Sequence, residues 1–296
     1  MRSGLLSSLL LFLVILAGCD SANSNGDDVS TDTPVEQIAK SPKRGIAYNM
    51  QEAPDFEALK SGVSWWYNWF YRTTSPANYV DSYQMEYLPM LWGSNAPADF
   101  EQVKTFILSR PGIEYLLVLN EPNLTDQANM TPQRAAQEWV KYEQVVTDLE
   151  SQGRAIKIVG PQMTWGTLAG YSDPVFWLDQ FYAYYRAANN GRDPRIDYLA
   201  FHWYDYGLET QLNRLQKYGK PIWITEMANW NDNIDTVQKQ IEQMTQMVAL
   251  AEGRSDVFRY AWFMGRWPND VHHTSIFQDE AGQLTALGEA YLNLPY

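Results

Sequence analysis

Two glutamates stand out because of the residues that lead up to them. Tyr115-Leu116-Leu117-Val118-Leu119 is an apolar run that ends on Asn120-Glu121-Pro122, and Ile222-Trp223-Ile224-Thr225 ends on Glu226. A carboxylate directly after a buried strand sits at the rim of a sheet, facing whatever enters there. Two on one rim can cleave a glycosidic bond. One protonates the leaving oxygen, and the other attacks the anomeric carbon or activates a water that does. A single glutamate at a strand end is as readily an arginine partner or a helix cap; a pair, one of them flanked by Asn120 and Pro122, favours the chemistry. Other chemistries find less support. His272 and His273 are adjacent and cannot share a helix face, no HExxH accompanies them, and no serine lies in a G-x-S-x-G elbow. The two histidines read as loop surface, and hydrolysis by two carboxylates needs neither a metal nor an organic cofactor.

The elements that position the glutamates follow from alternation along the chain. Eight apolar segments read as strands: Gly45–Asn49, Ser64–Asn68, Tyr87–Trp92, Tyr115–Leu119, Lys157–Gly160, Tyr198–His202, Ile222–Thr225 and Arg259–Phe263. The stretches between them carry helical signals. The clearest is the fourth, with Thr131 as cap, Pro132 in the first turn, Ala135, Trp139, Tyr142, Val146 and Leu149 at helical spacing, and Gly153 as stop. The seventh repeats the pattern from Ile234 to Ala251, before Gly253. Shorter helices are expected at Pro54–Lys60 and Ala98–Ser109, while the second and sixth are poorly marked. Eight strand–helix units in roughly 250 residues match a single (β/α)₈ TIM barrel in an α/β chain. An open doubly wound sheet lacks its Gly-rich loop after the first strand. In a barrel the fourth and seventh strands face each other across the mouth, which brings Glu121 and Glu226 together.

Here the sequence becomes more specific. Asn120-Glu121-Pro122 resembles the strand-four signature of the large clan of retaining (β/α)₈ glycosidases, and Glu226 in Ile224-Thr225-Glu226-Met227 matches that clan's strand-seven nucleophile. Further segments occur in order: Gly45 to Asn49, Trp66 to Trp69, Met90 to Trp92, Val159 to Gln162, Phe201 to Asp205 and Tyr260 to Phe263. Together they are similar to family-128 glycoside hydrolases, the glycosyl hydrolase catalytic core proteins that act on β-1,3-glucan, from about residue 43 to the C-terminus. The resemblance implies Glu121 as acid/base, Glu226 as nucleophile and Asn120 as the ligand of the sugar 2-hydroxyl. It implies that His202 and Tyr204 orient the nucleophile and that Trp262 stacks on the sugar at the cleavage point. Trp92, Trp165, Trp203, Trp230 and Trp267 are candidate sugar platforms in or near the loops, and Asn49, Tyr67 and Asn68 are polar candidates at strand ends. Met227-Ala228-Asn229 departs from the aromatic or glycine-rich stretch expected after the nucleophile.

The implied reaction is endo hydrolysis of β-1,3-glucan by double displacement. A retaining pair of carboxyl groups lies about 5–5.5 Å apart and an inverting pair roughly 6.5–9.5 Å apart. Three other readings share the residues: a β-1,4-glucanase or mannanase of the same clan, a non-catalytic glucan-binding lipoprotein, and a structural lipoprotein with no sugar site.

The N-terminal residues belong to targeting. Arg2, the apolar run Leu5–Leu16 and then Ala17-Gly18-Cys19 read as a signal peptide over 1–18, resembling a bacterial lipobox in which Cys19 is lipidated. Residues 19–42 are rich in Ser, Asn, Asp and Thr and read as a flexible polar tether to a catalytic domain at 43–296. The location implied is extracytoplasmic, on a membrane face, held by the lipid alone. Cys19 is the one cysteine, so an internal disulfide is excluded, and a body this large does not need one. The net charge of −13 argues against a nucleic-acid partner, which requires a basic face, and fits a neutral or cationic substrate. A monomer is expected.

Overall fold

The computed structural model describes residues 37–93 and 95–296. The segment carrying the signal-peptide reading, Cys19 and most of the tether lies outside the described residues.

In the described residues nine parallel segments form one sheet: β1 (Arg44–Ala47), β2 (Trp65–Tyr67), β3 (Glu86–Tyr87), β4 (Met90–Leu91), β5 (Tyr115–Val118), β6 (Lys157–Met163), β7 (Tyr198–Trp203), β8 (Ile222–Met227) and β9 (Val257–Trp262). Their order is β3-β2-β1-β9-β8-β7-β6-β5-β4. The count exceeds the expected eight because the third strand, Tyr87–Trp92 in the sequence, is in two pieces. Leu88-Pro89 separates them, and proline has no N–H to give a ladder. The short junction still bridges both neighbours: Leu88 N donates to Trp66 O at 3.0 Å, and Leu117 N donates to Pro89 O at 3.0 Å. With β3 on β2 and β4 on β5, the sheet curls round into a (β/α)₈ barrel.

Among the described residues eight helices alternate with the strands: α1 (Ala53–Leu59), α2 (Tyr79–Tyr83), α3 (Pro97–Leu108), α4 (Pro132–Ser151), α5 (Pro174–Ala188), α6 (Leu208–Leu215), α7 (Val237–Gly253) and α8 (Ala286–Asn293). Helix α4 has the anticipated cap: Thr131 Oγ1 accepts from Arg134 N at 3.3 Å, and its apolar stripe is buried. Helix α7 begins three residues after Ile234, because Thr236 caps it by accepting from Lys239 N, and it runs through Gly253 instead of stopping before it. The poorly marked second and sixth helices are short, α6 passing into a 3₁₀ turn at Gln216–Tyr218.

Strand alternation divides the core. One set of side chains packs between sheet and helices; the other, including Tyr67, Tyr115, Leu117, Val159, Trp223 and Ala261, fills the barrel. At the bottom of that interior Arg259 sits 4.9 Å over the rings of both Tyr115 and Trp223 and pairs with Glu86 at 2.6 Å. This leaves the upper end of the barrel to Tyr67 and the two glutamates. The packed body starts a little earlier than residue 43. Ile38 N bonds Gln84 Oε1, and Lys40 Nζ bonds the carbonyls of Lys60, Val63 and Tyr83. Burial lowers the Lys40 amine to about 8. Among the described residues, no helix is long and apolar enough to cross a membrane.

Candidate active site

Glu121 leaves β5 through a contorted turn. Leu119 (φ 59°) and Glu121 (φ 43°) both adopt left-handed backbone, a conformation that costs energy in non-glycine residues and clusters at functional sites. Hydrogen bonds to the two adjacent segments hold it: Asn120 N to Trp92 O at 2.6 Å and Glu121 N to Gln162 O at 2.8 Å. Glu226 lies within β8, opposite. Both carboxylates are almost wholly buried, at 6% and 4% exposure, yet both line a cleft of about 710 Å³.

The surroundings of the two differ. Glu226 is ringed by hydrogen-bond donors. Its Oε1 accepts from Tyr67 Oη at 2.8 Å and from Trp69 Nε1 at 2.7 Å, and its Oε2 accepts from Tyr204 Oη. Burial and the Glu226 charge push both phenols well above their ordinary range, so they remain O–H donors. Among the described residues Glu121 has a single side-chain hydrogen-bond partner, His202 Nδ1 at 2.8 Å from Oε1, and that nitrogen also lies 3.4 Å from Glu226 Oε2. One oxygen of each glutamate and a ring nitrogen of His202 all lie within 4.8 Å of one another. Burial, followed by the Glu121 charge, raises the Glu226 carboxyl above the usual range, although His202 and the donor ring act in the opposite sense. For His202, burial alone would lower the imidazole; the charge of Glu226 and the bond to Glu121 outweigh it and leave the group raised. Two carboxylates and an imidazole at this spacing could in principle ligate a divalent ion. The donors around Glu226 nevertheless point hydrogens at it, which suits an anion held for attack and opposes a cation.

The glycosyl hydrolase catalytic core family matches residues 45–291. The chain belongs to that family. The barrel aligns with a family-128, subgroup II endo-β-1,3-glucanase from Pseudomonas viridiflava at 53% identity and a TM-score of 0.82, covering 87% of this chain and all of that one. A subgroup II endo-β-1,3-glucanase from Sorangium cellulosum aligns at 31% identity and a TM-score of 0.72, over 86% and 98% of the two chains. A subgroup I enzyme from Amycolatopsis mediterranei, in complex with laminaritriose, aligns at 25% identity and a TM-score of 0.64, over 86% and 100%. The chain is also 28% identical over 265 residues to alkali-sensitive linkage protein 1 of Schizosaccharomyces pombe; that match takes in 86% of this chain but only 45% of the yeast protein's length.

Within this glycosyl hydrolase, the residues singled out in the sequence occupy distinct places. Asn120 is 3% exposed and lines the cleft; its Nδ2 bonds Gln127 Oε1 at 3.2 Å, and its Oδ1 has no partner among the described residues. Tyr67 and His202 are fully buried, beneath the carboxylates, and touch them without reaching the cleft surface. Tyr204 lines the cleft and bonds Glu226, as expected, whereas His202 bonds Glu121 more closely than the nucleophile candidate. Trp92, Trp165, Trp230 and Trp267 line the cleft. Trp203 lines an adjoining hollow of about 440 Å³ that shares Thr164, Trp165 and Tyr204 with it. His272 is a packing residue, stacked 5.1 Å from Trp230, which also stacks on Tyr204 at 4.0 Å.

Three expectations fail. Trp262 is wholly buried among the outer packing, with Nε1 bonded to Thr274 O at 2.9 Å and its ring against Tyr291. In a strand, neighbours face opposite sides, so Trp262 points to the helices while Phe263, one residue on, lines the cleft. Asn68 braces a corner, donating to Asn49 Oδ1 and Arg72 O and accepting from Phe70 N and Tyr87 Oη. Asn49, its exposed partner, also stays out of the cleft lining. Sequence reasoning missed Trp69, Phe263, Gln127, Gln162 and Thr225. Trp69 stood at the end of a noted aromatic cluster, one residue beyond the supposed strand end, and Gln162 closed a noted Gly-Pro-Gln segment.

Proposed function

We propose that this glycosyl hydrolase is a retaining endo-β-1,3-glucanase, with Glu121 as acid/base and Glu226 as nucleophile. The observation that carries the mechanism is the close approach of the two carboxylates, whose oxygens come within 4.8 Å. An approach this close supports a retaining pair, whose carboxyl groups lie nearer each other than those of an inverting one. In the first half-reaction Glu226 Oε bonds to the anomeric carbon as the glycosidic C–O bond breaks and Glu121 protonates the departing oxygen. In the second, Glu121 takes a proton from water, whose oxygen displaces Glu226. The unpaired Oδ1 of Asn120 accepts from the sugar 2-hydroxyl. The substrate choice is supported by the endo-β-1,3-glucanase relatives, one of them holding laminaritriose. Endo action is supported by the endo-β-1,3-glucanase relatives and by a cleft of about 710 Å³ that Trp92, Trp165, Trp230 and Trp267 line together with the carboxylates. The chain acts as a monomer carried on a lipid at Cys19, outside the cytoplasm.

The test is hydrolysis of laminarin, cellulose and mannan by the unmutated chain, Glu121→Ala and Glu226→Ala. Laminarin should release a ladder of oligosaccharides only with the unmutated chain. Cleavage of mannan or cellulose with laminarin untouched overturns the substrate, and binding without turnover overturns the catalysis.

A further inference from the structure

Beneath the two carboxylates runs a chain of hydrogen bonds in which His202, Thr225 and Gln162 are all fully buried. It starts at the Val159 carbonyl, which accepts from Gln162 Nε2 at 3.0 Å. A carbonyl accepts only, so the Gln162 amide is fixed with its nitrogen toward Val159 and its oxygen toward Thr225; the flipped amide would set two oxygens against each other. The Thr225 hydroxyl has one hydrogen, and it goes to Gln162 Oε1 at 2.5 Å. Thr225 Oγ1 therefore meets His202 Nε2, 3.0 Å away, as an acceptor. His202 Nε2 must carry a hydrogen.

That assignment decides what faces the carboxylates. A neutral imidazole protonated on Nε2 would aim the lone pair of Nδ1 at Glu121 Oε1, 2.8 Å away, with Glu226 Oε2 at 3.4 Å. Lone pairs opposed in a dry site are costly. If Glu121 instead puts its own proton on Oε1 to relieve them, that proton faces the histidine and not the cleft.

Resting on the function proposed above, we propose that Gln162 and Thr225 are positioning residues that hold His202 as an imidazolium, with Nε2–H on Thr225 and Nδ1–H on Glu121 Oε1. The acidic proton of Glu121 then resides on Oε2, where the glycosidic oxygen arrives. The charged and titratable groups facing the ring are Glu121 from the loop after β5 and Glu226 from β8, with the phenols Tyr204 and Tyr67 bonded to Glu226 in turn. The proton balance is simple. Glu121 Oε2–H passes to the leaving oxygen, water later returns one to Glu121, and His202 keeps both of its protons throughout. Its positive charge offsets Glu226 before attack and Glu121 after it.

The experiment is nitrogen-15 NMR on protein labelled at histidine. The chain has three histidines, and His272→Gln with His273→Gln leaves the His202 signals alone. At pH 6 both ring nitrogens should resonate as protonated. A single neutral tautomer of either kind overturns the proposal. Thr225→Val should lower the pH at which His202 becomes neutral by about one unit, roughly tenfold in its ionisation constant. The basic limb of kcat/KM on laminari-oligosaccharides should move with it, KM should stay within about twofold, and Thr225→Ser should restore both. A basic limb that ignores the change in His202 overturns the positioning role. If the unmutated chain hydrolyses no glucan, the functional reading fails, and the NMR result still decides the protonation of His202.

Discussion

Tyr67→Phe isolates one element of the ring around Glu226. The substitution removes a single hydroxyl in a fully buried site, where no solvent can replace it, and the remaining ring keeps its packing against Trp65 and Trp69. Glu226 Oε1 would keep Trp69 Nε1 at 2.7 Å and lose Tyr67 Oη at 2.8 Å. A hydrogen bond to a charged group contributes about 1.5–3 kcal/mol. That stabilisation favours the carboxylate alone, so its loss moves the Glu226 pKa up by about 1–2 units. The shift adds to the elevation that burial and Glu121 already impose. Glu226 attacks only when ionised. A higher pKa therefore removes activity on the acidic side and spares it at higher pH. The assay is the pH profile of kcat/KM on a laminari-oligosaccharide. The acidic limb should move to higher pH by about 1–2 units. KM should hold, since Tyr67 does not line the cleft. An acidic limb that stays put, or moves to lower pH, refutes the reasoning that the donor ring sets the ionisation of Glu226.

Three further outcomes are expected. Trp165, 50% exposed on the cleft wall, should act only as a platform, so Trp165→Ala should raise KM for long glucans by about 2–13-fold with kcat retained, given about 0.5–1.5 kcal/mol per aromatic contact; steady-state kinetics on oligosaccharides of increasing length check this. Arg259→Leu would leave Glu86 without its partner at the bottom of the barrel, where burial already raises that carboxyl. Urea denaturation should show a loss of about 3 kcal/mol, largely recovered in the double variant with Glu86→Leu and with kcat unchanged. Cys19→Ser should abolish incorporation of labelled fatty acid and release the protein from membranes, because a lipid is the anchor proposed.

The sequence revealed the barrel because its signals are local. Apolar runs of strand length alternate with stretches such as Thr131 to Gly153, whose cap, first-turn proline and stop are all short-range. It revealed the glutamates because each terminates such a run. What it obscured depends on direction and distance. Trp262 and Phe263 are neighbours with opposite facings, and a one-residue choice decides which reaches the cleft. Asn68 looks like a sugar ligand by type and position, and becomes a brace only because Tyr87 Oη and Phe70 N approach it. Trp69 reaches Glu226 from a left-handed backbone position beyond β2 that no periodicity signals. The partition of His202 between the two carboxylates depends on the contorted turn at Leu119–Glu121, a tertiary feature with no local signature.

The central claim is that Glu121 and Glu226 act as a retaining pair. Its most direct test is proton NMR of the first products released from a laminari-oligosaccharide, read before the anomers equilibrate. A retaining pair should release the β-anomer first. Initial release of the α-anomer would show inversion and contradict it.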